Sequence, residues 1–149
     1  MEIVQLNSLT EAQVRDVQGM LGELVPGLEV PLEALERVVA APGTHFFAAV
    51  DEAGRIAGCA TLCVFETPTG RKAHVEDVVV SAACRGQHIG KRLLEHVVGF
   101  ARRELGDVEL HLTSQPHRVA ANNLYRSVGF VRRETNVYKL GIRASKENL

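Results

Sequence analysis

Charge of either sign is almost cancelled in this chain: 17 lysines and arginines stand against 18 aspartates and glutamates, a formal net charge of −1. No global attraction to nucleic acid or to an anionic membrane follows, so any basic site has to be local. No run approaches the roughly 18 apolar residues of a membrane helix. The N-terminal MEIVQLNSL has no basic segment ahead of a long apolar one, so the pattern of a secretory signal is missing. A cytoplasmic protein is therefore expected. Cysteine is scarce and odd in number. Cys59 and Cys63 form C-x3-C, which is not a usual zinc spacing, and no second ligand pair stands nearby. With Cys84 they read as buried free thiols, and no metal is expected. Linkers, repeats and low-complexity tracts are missing too. The 16.3 kDa chain is thus expected to form one domain over residues 1–142, with a polar, frayed tail over 143–149.

What is present is an ordinary globular pattern, 46% hydrophobic and 23% charged. Glu2 to Leu6 reads as a short strand. Ser8 or Thr10 caps a helix with Val14, Val17, Met20, Leu21 and Leu24 on one stripe, and Pro26-Gly27 breaks it. Pro31 opens a second helix and Pro42-Gly43 closes it. Thr44 to Asp51 and Arg55 to Glu66 are apolar runs joined by a hairpin signal, and a turn at Thr67 to Gly70 leads into a strand from Lys72 to Ser81. His88 to Leu105 has the strongest helical spacing, ended by Gly106. Val108 to Thr113 reads as a buried strand, Val119 to Val128 as a helix stopped by Gly129, and Phe130 to Leu140 as one or two closing strands. The order β-α-α-β-β-β-α-β-α-β is mixed α/β.

The chemistry gathers in VEDVVVSAACRGQHIGK, Val75 to Lys91. Here a strand leads by a turn to a helix N-terminus, where unpaired N–H groups and the helix dipole favour an anion. Gly86 and Gly90 allow close approach of backbone, and Arg85 and Lys91 add positive charge. A diphosphate suits such a turn. The spacing is neither a P-loop nor G-x-G-x-x-G.

At these residues the sequence resembles the GNAT superfamily, the Gcn5-related N-acetyltransferases, whose acetyl-CoA motif is a strand followed by R/Q-x-x-G-x-G/A. Arg85, Gly86, Gln87, Ile89 and Gly90 match the common R-G-x-G-I-G form, and His88 stands where the family usually has its middle glycine. Downstream, Ala121 to Phe130 resembles the A-x-x-L-Y-x-x-x-G-F element, with Arg118 where an asparagine often stands. The resemblance implies the acyl-CoA N-acyltransferase fold, an α/β (α+β) architecture. Its sheet is mixed and mostly antiparallel, with six to seven strands, four helices and splayed fourth and fifth strands. It also implies acetyl-CoA as cosubstrate. Val78, Val79 and Val80 would offer backbone to the pantetheine arm, which behaves as a short peptide. Arg85 to Lys91, His88 included, would cradle the pyrophosphate, with Asn122 and Tyr125 also at the cofactor.

N-acetyl transfer needs a neutral amine and a proton for the departing thiolate. Tyr125 matches the family tyrosine near the sulfur, a general acid, and Glu76 and Asp77 are the candidate bases. In a regular strand these two neighbours point to opposite faces, and only a bulge would change that. The sequence leaves the choice between them open.

The run from Val75 to Leu94 is close to that of glucosamine 6-phosphate N-acetyltransferases, whereas Leu112 to Arg118 is longer than in those enzymes. Arg118, Arg126, Arg132 and Arg133 could meet a substrate phosphate or carboxylate, although arginines on helices and turns are more often solvated. The expected function is transfer of acetyl from acetyl-CoA to a primary amine of a small molecule in a ternary complex, an amino-sugar phosphate among the candidates. The alternatives are a protein-amine acetyltransferase, or a catalytically weak domain that binds CoA as a sensor. A homodimer is expected from the resemblance, with no nucleic acid or membrane partner.

Overall fold

The computed structural model describes residues 1–144. The elements run β1 Glu2–Gln5, α1 Glu11–Leu24, α2 Leu32–Ala40, β2 Thr44–Val50, β3 Ile56–Thr67, β4 Gly70–Val80, α3 Ile89–Glu104, β5 Glu109–His111 and α4 Val119–Val128. A single 3-10 turn, Ala82–Cys84, leads out of β4.

Local chemistry fixes these ends. Thr10 accepts from the Gln13 N–H and the Gln13 side chain accepts from the Thr10 N–H, a reciprocal capping box that starts α1. Gly129, at φ 112°, stops α4. Asp51 Oδ1 accepts from the N–H groups of Ala53 and Arg55 and holds the β2–β3 turn.

The five strands form one sheet in the order β1-β2-β3-β4-β5, antiparallel except for the β4–β5 pair. Strand periodicity splits the core in two. Phe47 and Ala49 face α3 and α4, together with Leu62, Val75, Leu93, Leu94 and Val97. Phe46 and Ala48 face the other way, onto Val17, Met20, Leu21 and Leu35 of α1 and α2. Asp16 pins α1 to the sheet, accepting from Arg55 Nε at 2.9 Å and from the Ile56 N–H at 3.0 Å.

Two expectations are corrected. The sheet has five strands among the described residues rather than six to seven, because Phe130 to Leu140 joins no ladder. A strand is stable only against a neighbouring edge, and this segment pairs with none among the described residues. Val131, Val137, Tyr138, Leu140 and Ile142 stay 74–88% exposed. Nor are all three thiols buried: Cys59 is, while Cys63 and Cys84 are half-buried. Arg143 and Ala144 are exposed and without regular structure, and the rest of the expected tail, 145–149, lies outside the described residues. No helix among the described residues is long and apolar enough to cross a membrane.

Candidate active site

The register of β4 changes at the paired acids. Thr61 of β3 stands opposite Glu76 and Cys59 opposite Val79, so Asp77 and Val78 together face the single residue Ala60. This is a β-bulge on β4, with Asp77 at φ 51°, a left-handed conformation uncommon outside glycine. Its consequence is chemical. Glu76 shares a face with Thr61, and Asp77 lines the same side of the sheet with Cys59 and Thr61. Both carboxylates therefore point to the α1/α2 side, where an unbulged strand would have separated them. Burial pushes the Cys63 thiol up, and the charges of Glu76 and then Asp77 add to that shift. Cys59, deeper in the same face, is pushed up to about 12 by burial and by Asp77. Neither thiol is a nucleophile at neutral pH. Glu76 Oε1 lies 3.7 Å from His74 Nδ1, and the His74 ring stacks on that of His111 at 5.8 Å between centroids. This imidazole pair beside the acids had no sequence signal, because only the β4–β5 register brings the two histidines together.

Beyond His74 the fourth and fifth strands part. Their pairing ends at His74 opposite His111, yet β4 runs on to Val80. Among the described residues, no strand is registered against the β5-facing edge of β4 from Val75 to Val80, which leaves that edge open to a peptide-like guest. The valine side chains serve the core: Val79 is buried against the α1/α2 layer, and Val78 and Val80 pack on the α3 side.

The turn that follows ends at the N-terminus of α3. Gly86 has φ 82°, and a Cβ there would meet nothing within 4 Å, so the backbone at that point is open to a ligand. Among the described residues, the backbone N–H groups of Gly86 to Gly90 donate to no protein acceptor, and no side chain caps α3. Arg85, Gln87 and His88 are exposed and Lys91 is half-exposed. This set fits a diphosphate: free N–H donors, two cations and a helix dipole. His88 adopts the left-handed region at φ 59° as the N-cap of α3. A histidine thus holds the backbone shape for which glycine is the usual choice, at a cost on the order of 1 kcal/mol. Gly90 has a different reason for its missing side chain from the one expected. A Cβ there would stand 3.0 Å from Leu124 Cδ2, so the glycine lets α4 close on α3. The Ile89 side chain is 3% exposed and belongs to the core, leaving only its backbone for a ligand.

From α4, Tyr125 enters the core cluster beside Phe130, their rings 6.2 Å apart and edge-on. Burial raises its phenol above the ordinary range, against a smaller opposing pull from Arg118. The hydroxyl keeps its proton throughout neutral pH, as a general acid must. Arg118, grouped in the sequence with solvated arginines, is the N-cap residue of α4 and lies close enough to act on Tyr125. Arg126, by contrast, donates to Asn123 Oδ1 at 3.1 Å. Asn122 Nδ2 donates to the Gln115 carbonyl at 3.0 Å, fixing the loop ahead of α4. In that loop Ser114 Oγ is buried and, among the described residues, has no hydrogen-bond partner. No group of three or more His, Cys, Asp or Glu among the described residues could hold a metal ion.

A strand edge left open by its neighbour, running into an uncapped helix N-terminus, is the arrangement that the sequence motifs anticipate. The family model for the acetyltransferase (GNAT) family matches residues 13–130. The chain belongs to the GNAT family. A glucosamine 6-phosphate N-acetyltransferase of Oryza sativa subsp. japonica is 33% identical over 132 residues, 83% of this chain and 76% of the relative. The N-alpha-acetyltransferase RimI of Mycobacterium tuberculosis is 32% identical over 132 residues, 88% of this chain and 80% of the relative. Among solved structures, an aminoglycoside acetyltransferase from an uncultured soil metagenomic sample superposes with a TM-score of 0.81 at 19% identity, covering 96% of each chain. The fold of the glucosamine-6-phosphate N-acetyltransferase of Arabidopsis thaliana is also shared, with a TM-score of 0.74 at 20% identity over 93% of this chain and 97% of that one.

Proposed function

We propose that this GNAT protein is a cytoplasmic N-acetyltransferase of one catalytic domain, residues 1–142, moving an acetyl group from acetyl-CoA directly to a primary amine of a small molecule. The observation that carries this reading is the open edge of β4 running into the free N–H groups of Gly86 to Gly90, with two carboxylates and a protonated phenol on neighbouring elements. Acetyl-CoA, when bound, supplies the activated acetyl thioester. The backbone of Val78 and Val80 would hydrogen-bond the pantetheine amides, whereas Val79, paired with Cys59, directs its own N–H and C=O to β3. Arg85, Gly86, Gln87, His88, Ile89, Gly90 and Lys91 hold the pyrophosphate, the middle residues through main-chain N–H and the two end residues through charge. Asn122, through the Gln115 carbonyl, holds the loop ahead of α4, where it would stand beside bound acetyl-CoA. Glu76 and Asp77, on one face, accept the amine's proton directly or through water, and the nitrogen lone pair then attacks the acetyl carbon. Tyr125 Oη gives its proton to the sulfur as the C–S bond breaks, so free thiol leaves, and the second proton, lost from the acylated nitrogen, restores the phenol.

Two copies acting together belong to the same reading. The segment from Val131 to Ile142 is exposed on its own chain, and among the described residues β5 has one unpaired edge three residues long. Exchange of this segment between copies would supply the missing strand partner. Light scattering is expected to give twice the 16.3 kDa mass, and truncation after Gly129 to give a monomer. A full-length monomer contradicts the exchange.

Thiol release from acetyl-CoA, measured across a panel of primary amines that includes glucosamine 6-phosphate, tests the function. Amine-dependent release with acetylated amine detected by mass spectrometry is expected. Tight acetyl-CoA binding without turnover of any amine would contradict it and point to a sensor.

A further inference from the structure

We propose that the acceptor is an amine bearing an apolar substituent, with its ammonium at Asp77 and its substituent in the cavity between α1, α2 and the sheet. The inference deepens the acetyl-transfer reading and rests on it.

Three observations converge on this cavity. Its volume is about 210 Å³, and its wall is made of aliphatic and aromatic side chains such as Val17, Leu21, Leu35 and Phe46. At ~30 Å³ per non-hydrogen atom, the share of one water in the liquid, that is room for roughly seven atoms. Asp77 is the one charged residue in the lining, and neither arginine, lysine nor histidine contributes to it. The bulge that sets Asp77 at φ 51° is what turns its carboxylate to this side of the sheet. Backbone strain of this kind persists where the surrounding structure requires a side chain to be in one place. The mouth, finally, is apolar where solvent reaches it. Val25 and Leu28, in the α1–α2 connection, line the cavity and are 48% and 44% exposed.

These features favour one occupant. A cation with a short aliphatic or aromatic group pairs with Asp77 and buries its apolar part among the leucines. A sugar phosphate would bring a dianion and several hydroxyls to a wall with no cation, and each unpaired group would lose its water. Glu76, near His74 and facing open solvent, lies outside the cavity lining. Asp77 is thereby the carboxylate that touches the amine.

The test is acetyl transfer to a series of linear amines from ethylamine to hexylamine, with glucosamine 6-phosphate alongside, and hexylamine binding followed by calorimetry without acetyl-CoA. Catalytic efficiency is expected to rise about fourfold per methylene, on the order of a hundredfold over the series. Ala34 lines the cavity, and Ala34→Phe fills it. This variant should abolish most of the chain-length gain while its melting temperature and acetyl-CoA affinity report a folded protein. Hexylamine binding without acetyl transfer would support the cavity assignment while removing the acetyl-transfer reading. Acetyl transfer to glucosamine 6-phosphate with no dependence on chain length would overturn the cavity assignment and leave acetyl transfer in place. Retention of the chain-length gain in Ala34→Phe would also overturn it.

Discussion

Tyr125→Phe is expected to slow amine-dependent thiol release from acetyl-CoA by about 10²- to 10⁴-fold, the usual contribution of a positioned general acid. The substitution removes one oxygen and keeps the ring. That ring is 7% exposed, packed in the α3/α4 core and edge-on to Phe130, so folding and the melting temperature should be almost unchanged. Acetyl-CoA affinity should stay within about threefold, because the proposed phosphate cradle is on α3 and the proposed pantetheine edge on β4. The pH profile adds a second readout. Burial holds the Tyr125 proton above the ordinary phenol range of about 10. The acid form therefore persists through neutral pH, and activity lost to its ionisation falls away only in strongly alkaline solution. In Tyr125→Phe that alkaline loss disappears together with most of the rate. Full activity in the variant would remove the general-acid assignment.

Gly86→Asp is expected to weaken acetyl-CoA binding by about 10- to 100-fold. Two effects act at one position. A side chain enters space left open at φ 82°, and its carboxylate competes with the pyrophosphate for the free N–H groups at the start of α3. Loss of one charge-assisted hydrogen bond, worth about 1.5–3 kcal/mol, accounts for that range. A non-glycine residue at φ 82° costs about 1 kcal/mol, which the carboxylate's place at a helix N-terminus partly offsets, so the variant stays folded while binding falls. His88→Gly is the converse change. It relieves the left-handed histidine at φ 59° without adding charge, and acetyl-CoA affinity is expected to hold or improve. Unchanged affinity in Gly86→Asp would place the pyrophosphate elsewhere.

The parts of this structure that depend on local chemistry were legible in the sequence, and the parts that depend on partners were not. The span of α4 follows from its helical stripe and from Gly129, and it forms as Val119–Val128. The hairpin at Asp51 to Gly54 follows from turn residues that hydrogen-bond their own backbone. The bulge at Asp77 has no such signature. Period-two reasoning alone puts Glu76 and Asp77 on opposite faces, and only the pairing of β4 with Ala60 of β3 reveals the extra residue. One or two closing strands were expected over Phe130 to Leu140, yet such strands depend on an edge to pair with, and no intrachain edge is used there among the described residues. Gly90 was readable as a glycine at a cofactor turn, but its proximity to Leu124 is a fact of helix packing. The cavity at Asp77 is assembled from α1, α2, β2, β3 and β4, so no single stretch of sequence announces it.

Amide hydrogen exchange with and without acetyl-CoA tests the central placement most directly. On saturation, the amides of Gly86 to Gly90 and those of Val78 and Val80 on the open β4 edge should slow together, while β1 and the Asp51 to Gly54 turn stay unchanged. Protection confined to other segments, or none at saturating acetyl-CoA, would contradict the account.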